Sequence, residues 1–257
     1  MSHFAAVHLL HEALGSGGSG PRANGAGQRS PRTVHQPSGT RKRLFTGAVW
    51  LGLPLAAAIP ETRASHGALT NTALRWGLTD QWEINALLEY KAERTPKGHL
   101  AGWSAMEWGY RFQCLRQSRW WPDLALQSRW RTPGLGGDYE FPHWGSHHVV
   151  AASKTLGRGW NIATNWGSAW DGTLPDPSLT YTANLSRNLG PIWSVFAEHY
   201  GYLYQSRSHP LWNLGAACLL RPQLLVDISL GAAHARQLAS AFLSVGVTYK
   251  THPQKKP

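Results

Sequence analysis

The sequence predicts an all-β protein, a transmembrane antiparallel up-and-down β-barrel of about 10–12 strands. Three observations carry this. The first is a period of two whose faces are inverted relative to a soluble sheet. In WNIATNWGSAW at 160–170, Trp160, Ile162, Thr164 and Trp166 fall on one face, and Asn161, Ala163, Asn165 and Gly167 on the other. SLTYTANLSRNL at 178–189 and GPIWSVFAE at 190–198 alternate in the same way. A water-soluble sandwich turns its large apolar residues inward and its charges outward. Here aromatic rings share a face that suits lipid, while Asn, Gly and Ser suit a polar interior. The second observation is composition. Charged residues are 15% of 257, Trp numbers 14, and no apolar run reaches the length of a membrane-crossing helix. The third is that the connections between strands alternate between short and long.

Strands are predicted near 68–77, 82–92, 102–115, 121–132, 147–156, 160–170, 178–187, 191–203, 211–220, 223–233 and 239–249. Short connections are expected at 78–81, 116–120, 157–159, 188–190 and 221–222. Long ones are expected near 92–101, 133–145, 171–177 and 204–210, with 234–238 intermediate. If the short set faces the periplasm, Trp76, Trp82, Trp120, Trp121, Trp160, Trp193 and Tyr249 fall at one rim. Trp103, Trp130, Trp170, Tyr202 and Trp212 fall at the other, leaving Trp108 and Trp166 mid-strand. Two aromatic girdles are expected where amphipathic rings meet lipid headgroups.

The ends of the chain read differently. Residues 1–40 are rich in Gly, Ser, Arg, Pro and His without periodicity, and are expected to be disordered or a mis-assigned extension. At 41–64, Arg41-Lys42-Arg43 precedes LFTGAVWLGLPLAAAIP, the layout of a secretory signal peptide. The barrel is then expected over 65–250 and a basic tail over 251–257. Eleven strands after residue 67 are odd for a bacterial barrel. Either the segment 44–58 is the first strand and is retained, or the first strand is missing. Its poor alternation favours the second, with an assigned start upstream of the true one.

The net charge of +11 does not point to nucleic acid. Much of the excess lies at Arg22, Arg29, Arg32, Arg41, Lys42 and Arg43 and at Lys250, Lys255 and Lys256, outside the repeats. Cys114 and Cys218 are far apart, lie on apolar faces and cannot form a zinc site alone.

Several segments carry a family likeness. TALRWGLTDQWEINALLEY at 72–90, Asn165-Trp166-Gly167 and Phe196-Ala197-Glu198-His199-Tyr200-Gly201 are three of them. Leu225-Val226-Asp227-Ile228-Ser229-Leu230-Gly231 and Val245-Gly246-Val247-Thr248-Tyr249-Lys250 are two more. In order and spacing, over roughly 70–250, the chain resembles the outer-membrane transporter family of the meta-pathway of phenol degradation. The resemblance implies a passive, porin-like transporter or channel in the cell outer membrane, passing small, aromatic or hydrophobic solutes. The chain departs from the usual barrel ending, because THPQKKP follows Tyr249.

By alternation the lumen-lining residues are expected to include Arg75, Glu83, Glu89, Glu107, Arg111, Arg129, Arg131, Asn165, Glu198 and Asp227, together with Asn85 and Gln127. Both signs of charge are present, so Glu83, Glu89, Glu107 and Glu198 can pair with Arg75, Arg111, Arg129 and Arg131. Such pairs could plug the bore, giving a structural or adhesion barrel with 92–101 and 133–145 as contact loops. Left open, they would tune selectivity. His143, His147 and His148 lie near Asp138 and Glu140, but His147 and His148 must point to opposite faces, so no metal site is assigned. A lipid hydrolase built around the outward His199 is a third reading, without a spacing that supports a triad. No enzymatic activity and no cofactor is expected. Gly134-Leu135-Gly136-Gly137 reads as loop flexibility, not a phosphate loop. The expected partners are outer-membrane lipid, a small solute and the barrel-assembly machinery, with no nucleic acid.

Overall fold

The computed structural model describes residues 45–55, 66–95, 98–235 and 238–251. Among these, twelve antiparallel strands close into a barrel in which each strand pairs with its sequence neighbours and the first pairs with the last. In chain order they are β1 (Phe45–Leu55), β2 (His66–Gly77), β3 (Trp82–Thr95), β4 (Gly98–Leu115), β5 (Asp123–Arg131) and β6 (Gly145–Gly157). Then follow β7 (Trp160–Trp170), β8 (Ser178–Asn188), β9 (Trp193–Tyr204), β10 (Arg207–Arg221), β11 (Leu224–Ala235) and β12 (Leu238–Lys250). No described helix is long and apolar enough to cross a membrane.

The inverted alternation holds around the wall. Odd positions of β2 and β3 such as Asn71, Asn85 and Glu89 are buried, while Leu74, Trp76 and Ile84 between them are exposed. On β10 and β11, Asn213, Asp227 and Ser229 are buried between exposed Trp212, Leu214, Ile228 and Leu230. The only buried apolar cluster among the described residues is Ala73 with Leu87. Such a molecule has no oily centre to drive collapse in water, so its apolar exterior must find its partner in lipid.

Phe45–Leu55 differs from the expectation of a signal-like segment outside the barrel. It pairs with β12 from Thr46↔Lys250 to Leu55↔Ala241, and with β2 from Phe45↔Trp76 to Gly52↔Leu69. The reason is geometric. β2 and β12 run the same way, so eleven strands would leave two parallel edges facing each other. One further antiparallel strand satisfies both edges, whose unmet N–H and C=O groups are costly in lipid. The barrel therefore begins within 41–64, not at 65. The extension 1–40 and residues 252–257 lie outside the described residues.

Loop lengths are a second correction. The segments near 92–101 and 204–210 are ladder, not loop. Arg94↔His99 and Thr95↔Gly98 extend β3 and β4, and Arg207↔Tyr204 extends β9 and β10. Gln205 and Ser206, at φ 46° and 63°, form the tight turn between the last two. The asymmetry between the ends is thus mostly strand overhang; among the described residues the longest connection, 132–144, lies at this end with 171–177, while 116–122 at the other end is as long as the latter. We call this the loop end and its opposite the turn end. One bulge matters for the bore. Glu89↔Ala105 is followed by Tyr90↔Trp103, so Ser104 is the extra residue and both it and Ala105 are buried.

Candidate functional site

The bore is built from the buried face of the strands; of the ten residues predicted to line it, Glu89, Arg111, Arg129, Asn165, Glu198 and Asp227 are buried, and Arg75, Glu83, Glu107 and Arg131 are half-buried. On β2 to β4, Arg75 meets Glu83 through Nε to Oε1 at 2.6 Å and Nη2 to Oε2 at 3.0 Å, and Arg111 is the cross-strand neighbour of Glu83. On β4 and β5, the Arg129 Nε lies 3.7 Å from the Glu107 carboxylate, and Arg131 is opposite Glu107 in register. The Ser104 hydroxyl donates to Glu89 at 2.5 Å. Asn165, on β7, donates from Nδ2 to Thr182 Oγ1 at 2.8 Å. Asp227, on β11, is buried across from Ala217 and Gly246.

Glu198 departs from the expectation that it finds an arginine. Its cross-strand neighbours are Asn184 on β8 and Asn213 on β10. It is 1% exposed, and the Asn213 amide faces its carboxylate without reaching hydrogen-bond geometry. The arginines are on the opposite part of the wall, on β2, β4 and β5. The lining is therefore split. β2 to β5 carry mixed charge, and β7 to β12 carry mostly Asn, Ser and Thr.

At the loop end the bore widens into a cavity of about 130 Å³. Its polar lining includes Glu89, Glu107, Arg129, Arg131 and His147, and its apolar lining includes Leu87, Phe141 and Leu211 with the Tyr200 ring. Tyr200 and Tyr202 were not foreseen here. They share parity with Glu198 on β9, which was the available signal, and Tyr202 turns into the bore to stack on His209 at 4.5 Å. This corrects its assignment to the outer girdle. Phe141 has no strand periodicity to reveal it.

Phe141 comes from the 132–144 connection, which is tied down over the mouth. The Asp138 carboxylate accepts the Ala101 N–H at 2.8 Å, and Gly137 bridges Gly102. The Tyr139 hydroxyl donates to Glu93 at 2.8 Å, and Lys91 sits 4.7 Å from the Tyr139 ring. The Arg131 guanidinium stacks on Phe141 at 3.9 Å. Burial, the Glu93 hydrogen bond and the Glu93 charge all push the Tyr139 hydroxyl up from its ordinary pKa. In the other connection, burial raises the Asp171 carboxyl. The N–H groups of Leu174 and Thr173, each at 2.9 Å, and the positive Arg131 outweigh that and hold it below the usual carboxylate range. The glycines at 134, 136 and 137 supply φ of 71°, 74° and 99°, which this path requires.

The girdle residues lie on the outside. Trp76, Trp82, Trp120, Trp160, Trp193 and Tyr249 are exposed at the turn end, and Trp103, Trp170 and Trp212 nearer the loop end. Trp130 is only half-buried, packed on Trp108 and Tyr110. His147 and His148 point to opposite faces, as expected. His147 is buried near Thr180, while His148 is exposed beside Ser128. Among the described residues no group of three or more His, Cys, Asp or Glu is gathered for a metal. His199 faces outward between the Tyr181 and Trp212 rings, at 5.4 and 4.4 Å. Cys114 is exposed and Cys218 half-buried, both as free thiols.

Residues 121–251 match the family described as "Putative MetA-pathway of phenol degradation". Among solved structures, an outer membrane channel from Pseudomonas putida F1 superposes with a TM-score of 0.59 at 12% identity, covering 87% of this chain and 100% of that one. The KdgM porin gives 0.58 at 8% identity, covering 80% and 99%. The NanC porin gives 0.58 at 9% identity, covering 80% and 100%. At these identities the likeness is one of fold, and the fold is that of outer-membrane barrels. No curated protein sequence matches the chain.

Proposed function

Because the chain belongs to the family described as "Putative MetA-pathway of phenol degradation", we propose that it is an outer-membrane channel for small, apolar or aromatic solutes. Passage is passive, through the bore, with entry at the loop end. The channel sits in outer-membrane lipid and reaches it through the barrel-assembly machinery. The solved structures of the same fold carry the names channel and porin, which supports this reading.

The observation that carries it is the state of the polar groups inside. Asn85, Asn184, Ser186, Glu198, Tyr200 and Asn213 each hold a buried side-chain atom without a hydrogen-bond partner in the protein. A plug is stable when its network is complete. Each unmet group costs about 1–3 kcal/mol, so a dry interior with six of them would approach the whole stability of a domain, about 5–15 kcal/mol. Water meets these groups once neighbouring side chains shift, and a bore that takes up water conducts. A second reading, a barrel closed by its own side chains, is favoured by one fact. Inward residues such as Gln127, Arg129, Asn165 and Ser244 are no more than 3% exposed, so passage below the cavity needs these side chains to move.

Planar-bilayer recording separates the two. Purified protein is expected to give discrete current steps whose size changes in Glu198→Ala. Silent membranes over many preparations of folded protein would overturn the channel reading and leave the closed barrel.

A further inference from the structure

We infer that the turn end of the barrel binds anionic glycerophospholipid, holding the headgroup phosphodiester on a basic arc that runs from β4 to β10. This rests on the channel reading only for the leaflet concerned, since entry at the loop end puts the turn end in the periplasmic one. The arc stands on an imbalance of charge. At the turn end, outside the bore, Arg116, Arg119, Lys154, Arg158, Arg187 and Arg221 are set against Asp80 and Asp123. At the loop end, outside the cavity lining, Lys91, Arg94 and Arg207 are set against Glu93, Asp138, Glu140 and Asp176. Among the described residues none of the six turn-end cations is ion-paired, whereas Lys91 meets Glu93 at 2.9 Å.

The occupant follows from where these cations sit on the wall. Arg187 shares the outward parity of exposed Leu185 and lies across from Trp160, its guanidinium 5.1 Å from that ring. Lys154 shares the parity of exposed Val150 and donates to the Arg119 and Trp120 carbonyls at 3.2 and 3.3 Å. The Arg119 guanidinium lies 5.3 Å from the exposed Trp120 ring. Exposed Leu156, Leu189 and Trp193 continue the apolar side of the same strip. Cation and ring side by side at one height meet a headgroup and the start of its acyl chains together. A water-borne acidic polypeptide would reach the turn tips and leave the wall-side rings bare. The guanidinium fork suits the two free oxygens of a phosphodiester. A choline headgroup brings a cation of its own, which the arc repels.

The strip is knit together without lipid. The Gln117 side chain accepts the Thr155 N–H at 2.7 Å and joins the β4–β5 turn to β6. The Gly159 carbonyl accepts the Asn188 N–H at 2.8 Å and joins the β6–β7 turn to β8. Cations fixed on one surface lose less freedom on binding than cations on separate loops.

The test is lipid retention by the full chain folded in micelles. The protein is offered equimolar phosphatidylglycerol and phosphatidylcholine and passed through gel filtration, and the lipid kept per protein is counted by mass spectrometry. A cation near an anionic surface is worth roughly fivefold, so phosphatidylglycerol should be kept roughly tenfold in preference. Arg158→Asn/Arg187→Gln should lower that preference at least roughly fivefold, and Arg94→Gln/Arg207→Gln, equal in charge but at the loop end, should leave it unchanged. Raising salt from about 0.1 M to about 1 M shortens the screening length from about 10 Å to about 3 Å and should erase it. Heat-modifiable gel mobility establishes that each variant is folded. Should a variant fail to fold, the ranking in the parent and its salt dependence decide alone. Equal retention of the two lipids by the parent overturns the site. An equal loss in the loop-end pair also overturns it, by making net charge the cause. A parent that binds polyglutamate and shows no lipid preference overturns it in favour of an acidic polypeptide. Lipid preference without bilayer current leaves the site and removes the channel, and current without preference does the reverse.

Discussion

Leu230→Arg is the sharpest test of which side of the wall meets lipid. Leu230 lies mid-strand on β11, 58% exposed, with Leu214 and Leu243 opposite. Leu189 lies in the turn between β8 and β9 and is 57% exposed. By exposure the two are equivalent. Were the exterior wet, either change to arginine would shift stability by no more than about 0.5 kcal/mol. In a bilayer the two separate. Arginine at the midplane of a barrel's lipid face costs about 2–4 kcal/mol, and near the interface about 0–1 kcal/mol. The folded-to-unfolded ratio should therefore fall by about 30- to 700-fold in Leu230→Arg and by less than about tenfold in Leu189→Arg. The assay is guanidinium unfolding of protein folded into phosphatidylcholine vesicles, followed by tryptophan fluorescence. The midpoint should move and the slope should not. Equal costs at the two positions would refute the reasoning, because exposure is the same at both and depth in lipid is not.

Other outcomes follow from the bore and the loop. Arg75→Ala leaves Glu83 without its bidentate partner and should destabilise by about 1–3 kcal/mol, with the double variant Arg75→Ala/Glu83→Ala recovering part of that. A double-mutant cycle without measurable coupling would show the pair to be idle. Gly137→Val places a branched side chain at φ 99°, 3.3 Å from the Gly102 backbone, and should release the 132–144 connection at a strain of about 1–3 kcal/mol. Limited proteolysis should then cut that connection faster than in the parent, and an unchanged rate would contradict the tether. Because the folded Asp171 carboxyl is held low, its contribution is complete above the unfolded value of about 4 and is lost as pH falls through the lower folded value. Protection of the Thr173 and Leu174 amides from hydrogen exchange should drop in acid and become pH-independent in Asp171→Asn, whose amide oxygen still accepts but does not titrate. A flat profile in the parent would rule this out.

The period of two was legible because lipid and bore impose opposite demands on adjacent residues. Trp212, Asn213 and Leu214 can be assigned to faces without coordinates. β1 was hidden for the same physical reason in reverse. Its run of Ala, Val, Trp, Leu and Gly carries no polar beat, so apolar strand and export signal look alike. The ends of β3, β4, β9 and β10 were misread as loops because polar residues beyond the membrane still pair, and ladder hydrogen bonds leave no trace in composition. At the site, parity gave the faces of residues such as Glu89, Arg129 and Asn165, which are buried. It could not say that Glu83 would find Arg75 while Glu198 met two asparagines, since that depends on register between strands. Phe141 was beyond reach, because a loop that folds back into a mouth is placed by tertiary contacts alone.

Eleven of the twelve junctions in this wall are hairpins between neighbours along the chain, and one is not. The seam Thr46↔Lys250 to Leu55↔Ala241 unites the two extremities, so its formation must restrain nearly the whole polypeptide at once. A ribbon of hairpins can gather step by step, but the cylinder exists only once that last stitch is made. Stress, heat or a pulling force should find it first, and a cross-link across it should slow opening more than one placed at any other junction.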